Sequence, residues 1–320
     1  MEQRKLIRLG NSSFALALPK DWIDKSGLKK GDHIFLERSA NGEITISPTY
    51  KKINGENKKV LDFSNVIGED TMKREISVAY AQDFNTFEIK GLDSDKKPKV
   101  KKLLNYLIGL EIIEDDKDRL VARDYFDLEE VNMSNFVKRI DNNIRNMLEL
   151  LEAGFNEGKL NSKQFNEIYE ADEDINKFYF LINKILIKGA NNPSVLNMLK
   201  LDGLEMFNHW WLAYNLEHVG DEIKRIARFL KNDEIQKDKT KKISEVFLEL
   251  KQCYIELINS YYKKDKDLAM QVILNKDNIM KKISLIADDK EANIAKIGEK
   301  LKQIRAKIHQ INKIIIYNII

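Results

Sequence analysis

From about Leu128 onward the chain holds one proline, Pro193, and few glycines, and its apolar residues return at spacings of three and four. Ile175, Phe178, Tyr179, Ile182, Ile185 and Leu186 form one such stripe. A period of about 3.6 residues leaves room for little except long amphipathic helices. The pattern predicts helices over 128–153, 161–188, 193–231, 238–263, 265–287 and 289–317. Long helices with short connections pack as antiparallel bundles. The six divide into two sets of three, about 128–232 and 238–320, and their weak self-similarity points to a duplicated three-helix unit. The tail Ile314-Ile315-Ile316-Tyr317-Asn318-Ile319-Ile320 is too short to span a bilayer and reads as the apolar end of a packed helix.

Upstream the pattern changes. Residues 67–127 read as a small α+β connector, with helices near Asp70–Ala81 and Lys96–Gly109 and strands near Thr86–Lys90, Glu111–Glu114 and Arg119–Arg123. Residues 49–66, polar and cationic with Lys51, Lys52, Asn54, Gly55, Lys58 and Lys59, read as a linker. Residues 1–48 look β-rich, with strands near Lys5–Leu9, Phe14–Leu18, His33–Glu37 and Glu43–Ser47. Turn signals at Gly10-Asn11, Lys30-Gly31-Asp32 and Asn41-Gly42 separate them, and one short helix spans Asp21–Ser26. So few residues in short strands hardly build a core alone, so a dimer sharing one core is expected. The fold class is multidomain α+β, with an all-α C-terminal part.

At 43% hydrophobic and 33% charged, the 320 residues are globular in composition. The net charge of +3 by itself does not argue for nucleic acid, but its distribution does: residues 1–20 carry Arg4, Lys5, Arg8 and Lys20 against Glu2. The single cysteine, Cys253, excludes a disulfide framework and a cysteine zinc cluster and fits a reducing cytoplasm. The start MEQRKLIRLG lacks the apolar core of a signal peptide, and no run of about 18 apolar residues occurs. A cytoplasmic protein, not embedded in a membrane, is expected. The phosphate-cradling glycine loop, the Gly-x-Ser-x-Gly elbow and His-Glu-x-x-His are all missing, which argues against an enzyme. Phe207 and Trp210-Trp211 fall on a helix of an apolar bundle and read as core or interface. The lysines Lys96, Lys97, Lys99, Lys101 and Lys102 read as a solvated helix start.

Arg4 and Arg8 fall on one face of the first strand and Lys5 on the other, followed by the corner Asn11-Ser12 and by Lys20. Such groups can grip phosphate oxygens and reach base edges. The same charges also suit a solvated edge strand protected from aggregation. The run Gly10-Asn11-Ser12-Ser13-Phe14-Ala15-Leu16-Ala17-Leu18-Pro19-Lys20 after a basic strand, with Gly27-Leu28-Lys29-Lys30-Gly31-Asp32 downstream, resembles the swapped-hairpin DNA-binding domain of the AbrB and MazE family. The resemblance implies an intertwined homodimer that holds DNA through Arg4, Lys5, Arg8, Asn11, Ser12 and Lys20. A toxin-neutralising role fits poorly, since the β-rich segment is followed here by a long helical region and not by a short disordered tail.

Glu170 and Asp174 lie one helical turn apart, as do Glu217 and Asp221. Two such pairs on adjacent helices could offer hard oxygen ligands to a cation, with His218 or His209 adding nitrogen. Acid pairs at that spacing also arise by composition, as at Glu245/Glu249 and Glu149/Glu152, and Asp221 can pair with Arg225. Residues 128–320 resemble PhoU, a duplicated three-helix-bundle regulator of phosphate uptake, clearest at Glu170–Asp174 with Ile175-Asn176 and at Glu217-His218-Val219-Gly220-Asp221-Glu222-Ile223-Lys224-Arg225-Ile226-Ala227. The resemblance implies a divalent or trivalent metal (Fe, Zn, Mn or Mg) on Glu170, Asp174, Glu217 and Asp221 of the first bundle. His218 stands where the family usually has arginine. The last helix of the second bundle has no acid pair, and residues 292–313 carry six cations against Glu299, so no second metal site is expected.

Together the two resemblances imply a regulator of phosphate uptake that binds DNA through its basic β arms. Its helical part would sense metal, a phosphate transporter ATPase or another phosphate-signalling protein. The rival from another class is an adaptor whose β domain serves only to dimerise. A metallohydrolase built on the acids lacks a neighbouring nucleophile.

Overall fold

The computed structural model describes every residue except 1, 2, 39–41, 43, 50–56, 83, 130, 233, 234, 275, 319 and 320. Strands β1 (Leu6–Leu9) and β2 (Ser13–Leu16) pair antiparallel, with Arg8 opposite Phe14. The chain reverses at Gly10, whose φ of +73° is a conformation that side chains with a Cβ avoid. Helix α1 (Lys20–Lys25) stops at Gly27, and a second hairpin joins β3 (Phe35–Arg38) to β4 (Ile44–Ser47). Asn41 of its expected Asn41-Gly42 turn lies outside the described residues. No described residue from 3 to 49 is buried: Leu6, Phe14 and Leu36 are 69%, 65% and 66% exposed.

Next comes a four-stranded sheet of order β5-β6-β8-β7, built from β5 (Lys58–Asp62), β6 (Thr86–Lys90), β7 (Leu110–Asp116) and β8 (Arg119–Asp124). β5 runs parallel to β6, with α2 (Glu69–Ala81) crossing between them, and α3 (Lys96–Tyr106) leads into the β7–β8 hairpin. Phe63, Ile76, Tyr80, Phe87, Ile89, Leu104 and Leu120 fill its core. β5 falls inside the span expected as linker. As a sheet edge it buries only Leu61, and Lys58, Lys59 and the half-exposed Val60 give it the polarity of a connection. Residues 50–56 of that span lie outside the described residues. The lysine cluster is more than a solvated helix start: Lys97 pairs with Asp115 at 2.7 Å, Lys101 pairs with the same carboxylate, and both tie α3 to β7.

On the sheet, Glu88 collects three cations: Lys58 at 2.6 Å, Arg119 at 3.2 Å and Lys90 at 3.3 Å. Hydrogen bonds from Lys58 and Arg119 hold its carboxyl down at about 2, against an ordinary 4.5. A depressed acid contributes stability above its unfolded pKa and loses it as pH falls through its folded one. Glu88→Gln should therefore flatten the acid limb of the unfolding profile between pH 4.5 and about 2. An unchanged acid limb would show that the three cations do not stabilise the ionised form.

The remainder is helical: α4 (Met133–Glu157), α5 (Ser162–Asn191), α6 (Pro193–Leu199), α7 (Gly203–Asn232), α8 (Lys237–Lys263), α9 (Lys266–Leu274), α10 (Lys276–Ala287) and α11 (Ala292–Asn318). One expected helix is divided. The 193–231 span breaks where Lys200 turns left-handed (φ 54°) and a reciprocal cap begins α7. There Asp202 accepts the Glu205 amide at 2.8 Å and Glu205 accepts the Asp202 amide at 2.9 Å. Helices α9 and α10 fill the 265–287 span on either side of residue 275, which lies outside the described residues.

Helices α4, α5 and α7 form one three-helix bundle; α8, α9 with α10, and α11 form the other. The most extensive helix contact is between α7 and α11, so the two bundles share a single core. Asp141 of α4, 2% exposed, adds a polar tie, accepting Arg145 at 2.9 Å and the hydroxyls of Tyr254 (2.9 Å) and Tyr262 (3.1 Å) from α8. The connector docks on α5. There Lys184 forms an ion pair with Asp124 at the end of β8, both side chains almost fully buried, and its ammonium lies 4.2 Å from the centre of the Tyr80 ring.

Candidate functional site

Two regions carry the residues singled out by the sequence. In the first, strand alternation puts Leu6 and Arg8 on one face of the first hairpin and Ile7 and Leu9 on the other, with Arg4 and Lys5 just ahead of β1. Arg8 Nε donates to the Gly10 carbonyl at 3.1 Å, which draws the guanidinium towards the corner holding Asn11 and Ser12. Arg4, Lys5, Arg8, Asn11, Ser12 and Lys20 are all exposed, and Lys20 opens α1 just past β2. The surface is cationic, has hydrogen-bond donors and is edged by exposed apolar side chains.

The second region lies where α5 meets α7. The backbones come close there, because a Cβ placed on Gly220 would stand 2.9 Å from Ile175 Cδ1. Burial on α5 follows the phase Ile168, Asp172, Ile175, so the acid that faces α7 is Asp172, 4% exposed. Glu170 and Asp174 are two residues to either side. At about 100° per residue they point nearly opposite to Asp172, and both are exposed. The structure therefore does not gather Glu170 and Asp174 with Glu217 and Asp221. Asp172 is the residue that spacing missed; its signal was a charge in phase with the apolar stripe.

Between Asp172 and α7 stands Lys224. Its ammonium donates to Asp172 Oδ2 at 2.6 Å and to Asp221 Oδ1 at 2.7 Å. Arg225 donates to the other Asp221 oxygen at 3.3 Å and to Glu222 at 2.5 Å, and Lys300 of α11 pairs with Glu222 at 3.2 Å. Glu217 Oε2 lies 2.7 Å from His218 Nδ1, which is also 2.9 Å from the Tyr214 carbonyl. Burial, then the charges of Asp221 and Asp172, pushes the Glu217 carboxyl up to about 7. Burial likewise raises Asp172, against the pull of Lys224. Burial works against the charged form of Lys224, but its bonds to Asp172 and Asp221 win and raise its pKa. His209, two and a half turns from His218 on α7, lines a separate cleft with Tyr261 and Tyr262.

These donors do not fit a metal. Among the described residues no group of three His, Cys, Asp or Glu side chains converges to hold an ion. The carboxylates that meet across α5 and α7, Asp172 and Asp221, already accept from Lys224 and Arg225. Phe207, Trp210 and Trp211 lie along the same helix. Both tryptophans are half-buried against the core, whereas Phe207 is largely exposed.

Residues 137–230, from α4 to near the end of α7, match the family model of the PhoU domain. Residues 7–54 match antidote-toxin recognition MazE, bacterial antitoxin. The chain joins a MazE-type segment to a PhoU domain. The matched PhoU domain is the first bundle and includes Asp172, Glu217, Asp221 and Lys224; the second bundle lies outside it. The MazE-type match covers both N-terminal hairpins and begins just after Arg4 and Lys5. No curated protein and no solved structure matches the chain. Among the described residues no helix is long and apolar enough to cross a membrane.

Proposed function

We propose that the protein is a DNA-binding regulator of phosphate uptake, in which paired N-terminal hairpins hold DNA and the PhoU domain receives the signal. The observation that carries this reading is the N-terminal segment itself. It is cationic, matches a MazE-type domain, and has no buried residue among those described between 3 and 49. Hairpins that expose Leu6, Ile7, Leu9, Phe14, Leu36 and Ile44 gain a core when a second copy covers them. Pairing also brings two sets of Arg4, Lys5 and Arg8 onto one surface, which suits a duplex with repeated phosphates. The PhoU domain docks on a phosphate-signalling protein, with a transporter ATPase the leading candidate. A signal passes only if that partner binds two arrangements of the DNA arms with different affinities.

The experiment is recovery of bound DNA across the genome from cells grown at high and at low phosphate. The reading expects a discrete set of sites next to phosphate-uptake genes, occupied under one condition more than the other. Absence of enrichment under both conditions, with the protein present, would favour the adaptor in which the hairpins only dimerise.

A further inference from the structure

We infer that Lys224 is the permanent cation of the α5–α7 acidic cluster, bridging Asp172 to Asp221, one of the acids on which the PhoU resemblance implies a metal ion. The inference concerns the helical domain alone and does not depend on DNA binding. The lysine ammonium bridges carboxylates from two helices at 2.6 and 2.7 Å, the same cross-helix job that a metal would perform. Its side chain is 15% exposed, so the charge is shielded from water on most sides. A divalent ion placed between Asp172 and Asp221 would meet this ammonium at contact distance, and like charges so close repel strongly where solvent is scarce. The other Asp221 oxygen is engaged too, by Arg225 at 3.3 Å.

The carboxylates around the site already have cations beside them. Asp172, Asp221, Glu217 and Glu222 face Lys224, Arg225, Lys300 and Lys307, and Lys73 of α2 approaches from the connector side, pairing with Glu173 at 3.8 Å. Adding a dication to that set would leave an excess of positive charge. Glu170 and Asp174 cannot relieve it, since they sit on the opposite side of α5. The α5–α7 tie is thus written into the sequence and is independent of metal supply.

The test uses the full chain, stripped of metal, incubated separately with Fe²⁺ (anaerobically), Zn²⁺, Mn²⁺ and Mg²⁺, and desalted. Metal per chain is then measured by mass spectrometry, alongside Tm at each metal concentration. Wild type is expected to retain no stoichiometric metal and to show an unchanged Tm. Lys224→Met removes the charge while keeping most of the stem. It should melt lower without metal and recover as Mn²⁺ or Zn²⁺ is added, because a ligand that binds only the folded state raises Tm with its concentration. Lys224→Arg, which keeps the cation, should remain metal-free. Stoichiometric metal on the wild type that disappears in Asp221→Asn would overturn the inference. So would a folded Lys224→Met that takes up nothing, since an emptied cation site should then fill. If Lys224→Met does not fold, the comparison of wild type with Asp221→Asn decides alone.

Discussion

Changing Arg4 and Arg8 together to alanine should weaken DNA binding by about 10- to 100-fold and make its salt dependence shallower. Each phosphate contact contributes close to one unit to the slope of log K against log salt concentration, so two arginines in each of two arms remove about two to four units. Arg8 lies on β1 with Arg4 just ahead of the strand, and Arg8 is already oriented by its bond to the Gly10 carbonyl. Arg8→Lys keeps the charge but loses the planar fork, so it should retain the slope and lose affinity through misplacement. Fluorescence anisotropy across a salt series, with far-UV circular dichroism to verify folding, separates these outcomes. Unchanged affinity and slope in the double variant would remove the hairpin from the DNA interface.

Lys184→Met should destabilise the protein by about 3–5 kcal/mol, the usual cost of removing one member of a buried ion pair. The cost arises from what remains. Asp124 would stay almost fully buried without its cation, with the Phe126 amide donating to it at 3.1 Å. Pairing Lys184→Met with Asp124→Asn should restore much of the loss, because the amide carries no charge to strand. Urea unfolding of the two single variants and the double variant gives the coupling directly. Additive effects would mean that the pair contributes nothing specific. Lys184 belongs to α5 and Asp124 to β8, so this measurement also reports how firmly the connector is seated on the PhoU domain.

Much of this fold was legible because long helices advertise their period. The stripe on α5 predicted its buried face, and β6 occupies the Thr86–Lys90 span that alternation assigned to it. Two of the missed features, β5 and the acidic cluster, share a cause: a local rule was overridden by a neighbour distant in sequence. β5 looks like a linker because an edge strand buries one side chain, and only pairing with β6 makes it a strand. The break before α7 was readable in the reciprocal cap of Asp202 and Glu205, hidden inside an otherwise helical run. At the acidic cluster, spacing of one turn selected Glu170 and Asp174, which do share a helix face. It could not say which face meets α7; phase with Ile168 and Ile175 does, and it selects Asp172. Lys224 escaped notice because lysine reads as a solvated residue until a partner helix supplies two carboxylates.

The hairpins with nothing buried have a consequence for dosage. Under the proposed pairing, a lone chain lacks the folded arm that reads DNA, so folding of the arm and assembly are one event. While most chains are still unpaired, the number of competent readers grows with the square of protein abundance, and a twofold rise in expression gives about a fourfold rise in DNA-reading capacity. The chain would then act as a threshold device, silent when scarce, before any phosphate signal reaches its helices.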